Sequence, residues 1–562
     1  MVYAYMMRIL KTITEGGQIW AHRVRMAKQV LKIASLTSLL LIGLFFLGSM
    51  LQIPSVHYQA SAYYLKAQIL SGEDSIKVNG PIWRKISHHS TSQSTLSLKP
   101  AVVSKVCKRH FAFLLQQLTQ NIIQSLNLGT YTFGITIVFF LIRGLYGRRQ
   151  QHLNGKQLIS PILLALKLKL SRKASPFRLG HLPLVKGTET QHLLLSGATG
   201  TGKTNALHSF LPQIRKKHQR AIVVDITGEF VEKYYQPSCD ILLNPFDPRS
   251  AQWHPWAECS HPSDFKTIAQ SFIPSSYRED ENFWRKGAQE VFAAALKALA
   301  YSERTSALSK LLLHDPLSQL SQALQGTTAT AYLDMAAEKT AGSIRAVASS
   351  FLEILELLPD TDNPFSIRQW LQRSEGWLFL NCSPQHRASS VPLISAWLSI
   401  AISNLLQLNP DPKRRLWFIL DELPRLNRLR DLENFLTESR KFGGCGVLAI
   451  QSPAQLDAIY GKEVTSTLIG NCATRVAFAE YDPEIAYRIA KTFGNKEIKE
   501  MQEAISYGAH EMRDGVNLAY HTKHLPVVSP TDLQSLNTHQ AFVKLPGKFP
   551  ITRISFSKIY KL

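Results

Sequence analysis

Two long apolar runs mark the first quarter of the chain. Residues 33–53 contain no charged residue, and about 21 residues are enough to cross roughly 30 Å of hydrocarbon as a helix. Residues 126–142 form a shorter run that ends at Arg143 and is followed by Arg148 and Arg149, as expected where a span stops at a cytoplasmic face. We therefore predict a cytoplasmic N-terminus over 1–32, transmembrane helices over 33–53 and 126–142, and a periplasmic segment over 54–125.

A cleavable signal peptide is the competing interpretation of the first run. Ala60, Ser61 and Ala62 form a small-residue triplet of the kind that a signal peptidase accepts. The roughly 30 residues before the apolar run are too many for the charged region of an ordinary signal peptide. We therefore favour a retained span.

From residue 181 onward, short apolar segments alternate with helical stretches. This alternation predicts an α/β fold, in which helices wrap a mostly parallel sheet. Between 258 and 370 the strand pattern disappears and apolar residues recur at helical spacing, which predicts an inserted all-α domain. The predicted strands include Arg220–Ile226, Trp377–Asn381, Leu416–Leu420, Val447–Ile450, Thr474–Phe478, Ala541–Lys544 and Ile551–Phe556.

Two segments show little hydrophobic pattern. Residues 143–180 are basic and are predicted to be a linker, and the polar residues 495–535 are predicted to be a surface excursion. The resulting division is a linker over 143–180, a nucleotide-binding domain over 181–257 and 371–562, and an all-α insertion over 258–370.

The clearest chemical signal follows the apolar run Leu193–Leu195. Glycines at three positions allow backbone N–H groups to turn inward around a phosphate, at the positive end of the helix that follows. Lys203 is expected to reach the β- and γ-phosphates, and the Thr204 hydroxyl to bind Mg²⁺. The predicted nucleotide-binding loop is Gly197, Ala198, Thr199, Gly200, Thr201, Gly202, Lys203 and Thr204. It predicts ATP and Mg²⁺ as cofactors, although contacts to phosphates alone do not distinguish ATP from GTP.

A second acidic motif supplies what hydrolysis requires beyond nucleotide binding. Asp421 and Glu422 follow the apolar run Leu416–Leu420, which is typical of a strand buried on both faces. Acids at the carboxyl end of such a strand lie where open parallel sheets bind ligands. We expect Asp421 to hold the Mg²⁺ shell and Glu422 to polarise the attacking water, on the strand next to that of the phosphate loop.

The charge balance favours an anionic partner. The 562 residues contain 64 Lys and Arg against 41 Asp and Glu, a net charge of +23. Such a surplus suits nucleic acid or an anionic membrane face. The basic clusters Lys216–Arg220 and Lys413–Arg415 precede strands, so they are expected at the sheet edge opposite the nucleotide, either contacting DNA or simply solvated. Six cysteines without CxxC spacing argue against a zinc site.

Several motifs together resemble the type IV secretion coupling proteins of the TraD branch. They span roughly residues 180 to 480 and are more specific jointly than the two nucleotide motifs. They are Gln191–Thr204, Asp225–Glu229, Leu243–Asp247, Trp253–Trp256, Leu420–Pro424, Arg440–Cys445 and Ile450–Leu456.

The resemblance implies a RecA-like P-loop ATPase of the bacterial inner membrane, hexameric around a central channel. Such a protein recruits DNA with its relaxase, or a protein substrate, and delivers it to a type IV secretion channel. It also implies that Arg440 reaches the γ-phosphate of the neighbouring subunit and that Gln451 senses that phosphate. Thr227 departs from the pattern, because many relatives carry Lys there. The sequence ends at Leu562 without the acidic tail of several relatives, so partner choice is expected to rest on the helical block.

Three functional hypotheses follow. The first is a DNA-stimulated motor that moves a nucleoprotein substrate. The second is a receptor for protein substrates, in which nucleotide binding mainly supports hexamer assembly. A chromosome-segregation translocase is a third, disfavoured because two predicted spans replace the usual four and no winged helix is predicted after the motor.

Overall fold

The computed structural model describes residues 2–70, 75–147, 151–373, 375–506 and 515–559. Two compact units can be separated, one formed by residues 1–151 and 500–521 and the other by residues 152–499 and 522–562. Arg148 and Arg149, which were part of the predicted end of the second span, lie outside the described residues.

The first unit contains two long helices and a small α/β segment between them. Strands β1 and β2 pair antiparallel, and Trp83, Ile86 and Cys107 are buried in the core of this segment. The elements are α1 (Val2–Leu51), α2 (Ser55–Ile69), β1 (Ile76–Asn79), α3 (Gly80–Ser87), β2 (Thr95–Leu98) and α4 (Pro100–Gly147).

Helices α1 and α4 pack closely at a small residue. The Ser38 hydroxyl donates a hydrogen bond to the Gly129 carbonyl at 2.7 Å, and a Cβ at Gly129 would clash with Ile42. Close backbone approach at glycine is typical of helices that associate within a bilayer. Outward-facing apolar side chains such as Leu40 and Ile135 are more than 60 % exposed, as expected for a lipid-facing surface.

Three helices in the described part of the chain are long and apolar enough to cross a membrane. They are Val24–Leu51, Pro100–Gly144 and Pro384–Leu406. Most of the third is buried inside the second unit, so it is a core helix. The predicted spans 33–53 and 126–142 fall on the first two, and their membrane topology remains a prediction.

The rest of the chain alternates strands and helices. The strands are β3 (Gln151–Gly155), β4 (Leu158–Ile159), β5 (Ala174–Leu179), β6 (Leu182–Val185), β7 (Leu193–Ser196), β8 (Arg220–Asp225), β9 (Ile241–Leu243), β10 (Trp377–Asn381), β11 (Leu416–Leu420), β12 (Gly444–Ile450), β13 (Thr474–Ala477), β14 (Asn495–Ser506), β15 (Gly515–Pro526), β16 (Gln540–Lys544) and β17 (Ile551–Ser555). The helices are α5 (Pro161–Leu170), α6 (Lys203–Lys216), α7 (Glu229–Tyr234), α8 (Pro262–Phe272), α9 (Glu279–Ala298), α10 (Thr305–Ser309), α11 (Leu317–Ala323), α12 (Glu338–Leu352), α13 (Ile367–Arg373), α14 (Arg387–Leu406), α15 (Leu432–Glu438), α16 (Pro453–Tyr460), α17 (Lys462–Asn471), α18 (Pro483–Lys491) and α19 (Pro530–Gln534).

Ten strands form one sheet in the order β4-β17-β16-β13-β7-β12-β11-β8-β10-β9. The seven strands from β13 to β9 are parallel, and β16 pairs antiparallel with both β13 and β17. This arrangement confirms the predicted α/β fold with a mostly parallel sheet. The strand of the phosphate loop and the strand of the acidic motif are not neighbours, however. The prediction of adjacent strands was wrong, because the crossover after β11 inserts β12 between β7 and β11.

The two faces of the sheet pack against different helices. Ile222 and Val224 of β8 face the core shared with the helical insertion, whereas Ala221 and Val223 face the core that contains Phe210 of α6. Side chains alternate between the two faces of a strand. Both sets of side chains are buried, which explains why the sequence of such a strand is a continuous apolar run.

All described elements between β9 and β10 are helices, from α8 to α13 with short 3-10 and π turns. Buried Glu258 anchors both ends of this insertion. It accepts hydrogen bonds from the Trp253 indole at 2.9 Å and from the backbone of Ile367 and Arg368 at 2.7 and 3.0 Å. The insertion therefore shares one continuous core with the sheet.

Two segments contain more regular structure than their patterns indicated. The range 143–180 includes β4, which pairs with β17, and α5, whose Leu164 and Leu168 are fully buried. The range 495–535 includes the twelve-residue strands β14 and β15. Short or largely polar strands lack the apolar alternation on which strand prediction depends.

Candidate nucleotide-binding site

The loop between β7 and α6 has the backbone that its glycines predict. Gly197, Gly200 and Gly202 have φ values of 146°, 75° and 115°. The Ala198 N–H donates to the Ala479 carbonyl at 2.9 Å, and the Thr201 hydroxyl donates to the Ala198 carbonyl at 2.7 Å. The loop therefore leads into the N-terminus of α6 in a conformation that suits phosphate binding.

Two of these glycines are also required by close neighbours. A Cβ at Gly197 would lie 2.7 Å from the Phe478 Cβ, and a Cβ at Gly202 would lie 2.7 Å from the His539 Nδ1. Each contact is shorter than real Cβ atoms tolerate. Both neighbours follow the loop far downstream in the chain, so tertiary packing supports its shape.

Lys203, the first residue of α6, is buried. Its ammonium donates to the carbonyls of Gly197 and Ala198 at 2.6 and 2.9 Å. Burial lowers the pKa of Lys203, and the carboxylates of Glu422 and Asp421 act in the opposite direction. The Lys203 ammonium thus lies within the loop, close to these two acids.

Thr204 and Asp421 are brought together across the sheet edge. The Thr204 hydroxyl lies 3.2 and 3.3 Å from the two carboxylate oxygens of Asp421. Burial raises the pKa of Asp421 to about 7, and the Thr204 hydrogen bond opposes this shift. A divalent cation would stabilise the ionised carboxylate, and hydroxyl and carboxylate oxygens are ligands that Mg²⁺ prefers.

Glu422 and Gln451 occupy the same sheet edge. Glu422 forms an ion pair with Arg425 at 2.9 Å and is 19 % exposed, so its carboxylate is held in one place while solvent can reach it. Gln451 directly follows Ile450, which pairs in register with Ser196 at the end of β7. Both residues therefore lie level with the start of the phosphate loop.

Arg440 is the one predicted site residue that the fold does not bring to this edge. It is exposed in the 3-10 turn Ser439–Phe442, which precedes β12. The seven residues of β12 span about 20 Å between that turn and Gln451. Within one chain Arg440 therefore lies at the opposite edge of the sheet.

Sequence reasoning did not identify two residues beside the loop. Buried Glu480 follows β13, on the other side of β7, and the Lys203 charge acts on its pKa, which burial raises. The backbone N–H of His539 donates to the Thr201 carbonyl at 2.9 Å, and its buried Nδ1 has no hydrogen-bond partner among the described residues. Glu480 could have been predicted from the same sequence pattern as Asp421, because both are acids that follow an apolar strand. No local sequence pattern indicates His539.

Asp225, at the end of β8, has a local structural role. Its carboxylate accepts backbone N–H bonds from Gly228, Phe230 and Val231, each at 2.8 Å. The Thr227 hydroxyl also donates to it at 3.0 Å. The threonine that departs from the lysine pattern is thus engaged within its own turn.

The residues present fit a nucleotide with Mg²⁺. The positive-φ glycines give the loop a backbone that suits phosphates, Lys203 can supply a cation, and the Thr204–Asp421 pair can supply oxygen ligands. The loop, this pair and the strand order define a RecA-like P-loop nucleotide-binding protein.

Comparison with known proteins narrows this class to one family. Residues 176–557 match the family described as the type IV secretion-system coupling protein DNA-binding domain, and the chain belongs to the type IV coupling protein family. It is 34 % identical to the coupling protein TraD of Escherichia coli (strain K12), over 97 % of this chain and 77 % of that protein. Family membership and the exposed apolar helix α1 indicate membrane association.

Solved structures agree with this assignment. The bacterial conjugative coupling protein TrwBdeltaN70, in an unbound monoclinic form, is 28 % identical, with a TM-score of 0.66 over 73 % of this chain and 94 % of that one. The plasmid coupling protein TrwB in complex with ADP and Mg²⁺ is 27 % identical, with a TM-score of 0.65 over 74 % of this chain and 95 % of that one.

Proposed function

We propose that this chain is an ATP-hydrolysing coupling protein of the bacterial inner membrane, anchored by two spans. It recruits DNA with its relaxase, as a homo-hexamer, and drives it to a type IV secretion channel. The observation that carries the proposal is the contact between Thr204 and Asp421 beside Lys203, because it unites the two halves of a hydrolytic site. The +23 net charge supports a sequence-independent grip on DNA phosphates.

The residues of the site divide the chemistry among them. Bound ATP supplies the phosphoryl group that water attacks, and Mg²⁺ neutralises its charge. The loop N–H groups of residues 197–204 and the Lys203 ammonium hold the phosphates. Thr204 and Asp421 would hold the metal. Glu422, fixed by Arg425 at 2.9 Å, accepts a proton from the attacking water.

Two residues are assigned to regulation between subunits. Arg440 lies at the opposite edge of its own sheet, so its guanidinium serves a neighbouring subunit's nucleotide, where added positive charge stabilises the transition state. Gln451, level with the start of the phosphate loop, reports the state of the γ-phosphate to its own strand.

DNA-stimulated hydrolysis by the full-length chain in detergent micelles or nanodiscs tests the proposal. We expect single- or double-stranded DNA to raise ATP turnover, and Lys203→Ala to abolish it. Turnover that neither DNA form changes, measured while the chain is hexameric, would overturn the motor and favour the receptor function, in which nucleotide binding supports assembly.

A further inference from the structure

A cavity of 350 Å³ lies on the face of the sheet opposite α6. It opens beneath the ends of β7 and β12, where Ser196 and Ile450 line it, and helices α17 and α18 form its other walls. None of its lining residues belongs to the loop 197–204 or to the acidic motif at Asp421 and Glu422. The cavity is therefore separate from the nucleotide site described above.

Three cationic side chains line this cavity: Arg475 from β13, and Arg488 and Lys491 from α18. Asp457 neutralises Arg488 through hydrogen bonds of 2.5 and 2.9 Å. Lys491 is exposed and forms no ion pair with any described residue. Arg475 and Lys491 thus leave the cavity wall with unbalanced positive charge.

Arg475 has no acidic partner among the described residues. Its guanidinium donates to three backbone carbonyls, those of Ile469, Cys472 and Thr492, at 3.0 to 3.2 Å. These three bonds use three of the five N–H donors of an arginine. Two donors remain for a ligand.

A second cation, Lys544, lies beside Arg475. The two residues are paired across the antiparallel strands β13 and β16, and like charges at paired positions destabilise a sheet. Burial, together with the charges of Arg475 and Lys156, lowers the pKa of Lys544 to about 8. The Lys544 ammonium donates to the Thr492 carbonyl at 2.5 Å, the same oxygen that Arg475 uses. An anion at Arg475 would relieve this repulsion.

Apolar side chains also line the cavity, among them Ile469, Ile489 and Phe493, together with the polar residues Ser196, Ser466 and Thr492. Its volume is that of a site for a small organic ligand, larger than inorganic phosphate needs. A more open pocket of 570 Å³ adjoins it through Arg488 and Lys491 and carries Tyr487, which is 63 % exposed. An exposed ring beside cations is typical of surfaces on which bases stack.

We propose that this cavity binds a nucleoside phosphate at a second site, with the phosphate on Arg475 and Lys491 and the base against Ile469, Ile489 and Phe493. The ligand is either a free nucleotide or one unit of a single strand whose next base stacks on Tyr487. The assignment does not depend on ATP hydrolysis at the phosphate loop.

Gly470 provides a variant that closes the cavity without removing a charge. It lines the cavity from α17, its φ is not positive, and a Cβ there would meet no atom within 4 Å. Gly470→Leu therefore places a side chain in the open space and favours the helix. Gly342→Leu is the matched control, because Gly342 lies in α12, outside the cavity, and also has open space at its Cβ.

Binding is measured by calorimetry on the full-length chain carrying Lys203→Ala, which weakens phosphate binding at the loop. The titrants are thymidine 5′-monophosphate, an eight-residue oligothymidylate and inorganic phosphate. We expect Gly470→Leu to weaken nucleoside phosphate binding at least about tenfold and Lys491→Gln about threefold. Gly342→Leu and Lys548→Gln, which removes an exposed lysine outside the cavity, should leave it unchanged.

Each outcome decides the proposal. Binding of the monophosphate that Gly470→Leu removes identifies a free nucleotide, whereas binding of the oligonucleotide alone identifies a strand. No binding of either, equal binding by the two glycine variants, or inorganic phosphate bound as tightly as the nucleotide would overturn it. Near-ultraviolet circular dichroism checks folding, and Gly470→Leu should melt no lower than Gly342→Leu.

Discussion

Thr204 and Asp421 are separated by 217 positions in the chain, yet the Thr204 hydroxyl lies 3.2 Å from the Asp421 carboxylate. Thr204 lies in the first turn of the helix after the phosphate loop, and Asp421 directly follows β11, two places from β7 in the sheet. The contact crosses β12, because both residues project beyond the carboxyl ends of the strands. It is the geometric basis of the proposed Mg²⁺ site.

Asp421→Asn tests that site. The amide oxygen can still accept the Thr204 hydroxyl, so the chain should fold normally while the charge that holds the metal is lost. We expect the Mg²⁺ concentration for half-maximal ATP binding to rise about 10- to 100-fold. Nucleotide binding in the presence of a chelator should not change, and an unaltered Mg²⁺ midpoint would contradict the assignment.

Glu422→Gln should retain ATP binding and lose turnover, because an amide cannot accept the proton of the attacking water. Arg425→Ala releases the 2.9 Å ion pair that fixes Glu422, and we expect it to lower kcat about tenfold with little change in KM. Steady-state hydrolysis by the full-length chain measures both. Normal turnover in Glu422→Gln would remove this residue from the mechanism.

Gly202→Ala should damage the loop more than Gly200→Ala. Both positions have positive φ, but only at Gly202 would the new methyl group meet a neighbour, His539 at 2.7 Å. We expect Gly202→Ala to weaken nucleotide binding and lower the melting temperature, and His539→Ala to restore part of both losses in the double variant. Equal behaviour of the two single alanine variants would argue against the steric contact.

Arg440→Ala is best tested in mixed hexamers. If Arg440 acts on the neighbouring subunit's nucleotide, a subunit that lacks its own Arg440 should still hydrolyse ATP. The condition is that the adjacent subunit is wild type and supplies its arginine. Hydrolysis as a function of the mixing ratio then departs from a straight line. A linear dependence would show that each subunit acts alone and that Arg440 is an ordinary exposed cation.

Lys544→Met should stabilise the chain in a pH-dependent way. The folded pKa of Lys544, about 8, lies below the ordinary value of 10.5, so the unfolded state binds more protons between these pH values. Wild-type stability from this group therefore rises as pH increases from about 8 to 10.5. The melting temperature of Lys544→Met in phosphate-free buffer should exceed that of the wild type most below pH 8. A pH-independent difference would contradict the buried charge.

The buried parallel strands were predictable from local pattern. Predicted and observed bounds agree at Trp377–Asn381 and Leu416–Leu420, because strands covered on both faces must be apolar throughout. The phosphate loop was predictable for a different reason, since its glycines are required by backbone conformation. The residues expected near the nucleotide on chemical grounds include Lys203, Thr204 and Asp421, which the fold does bring together.

Features set by long-range packing were not predictable in the same way. The position of β12 between β7 and β11 cannot be predicted from the sequence of either neighbouring strand. The approach of His539 to Gly202 depends on the placement of β16 between β13 and β17, far along the chain from the loop. Strand β4 has only two residues, too few for any periodicity to register.

That short strand determines where a soluble fragment can begin. The Ile551 N–H donates to the Gln157 carbonyl at 2.8 Å, and the Thr552 hydroxyl donates to the Ile159 carbonyl at 2.8 Å. A fragment that begins at residue 181, the boundary that the hydrophobic pattern indicates, would remove β4 from one side of β17 and expose the core side chains beneath α5. Expression trials for biochemistry should therefore start the chain upstream of Gln157.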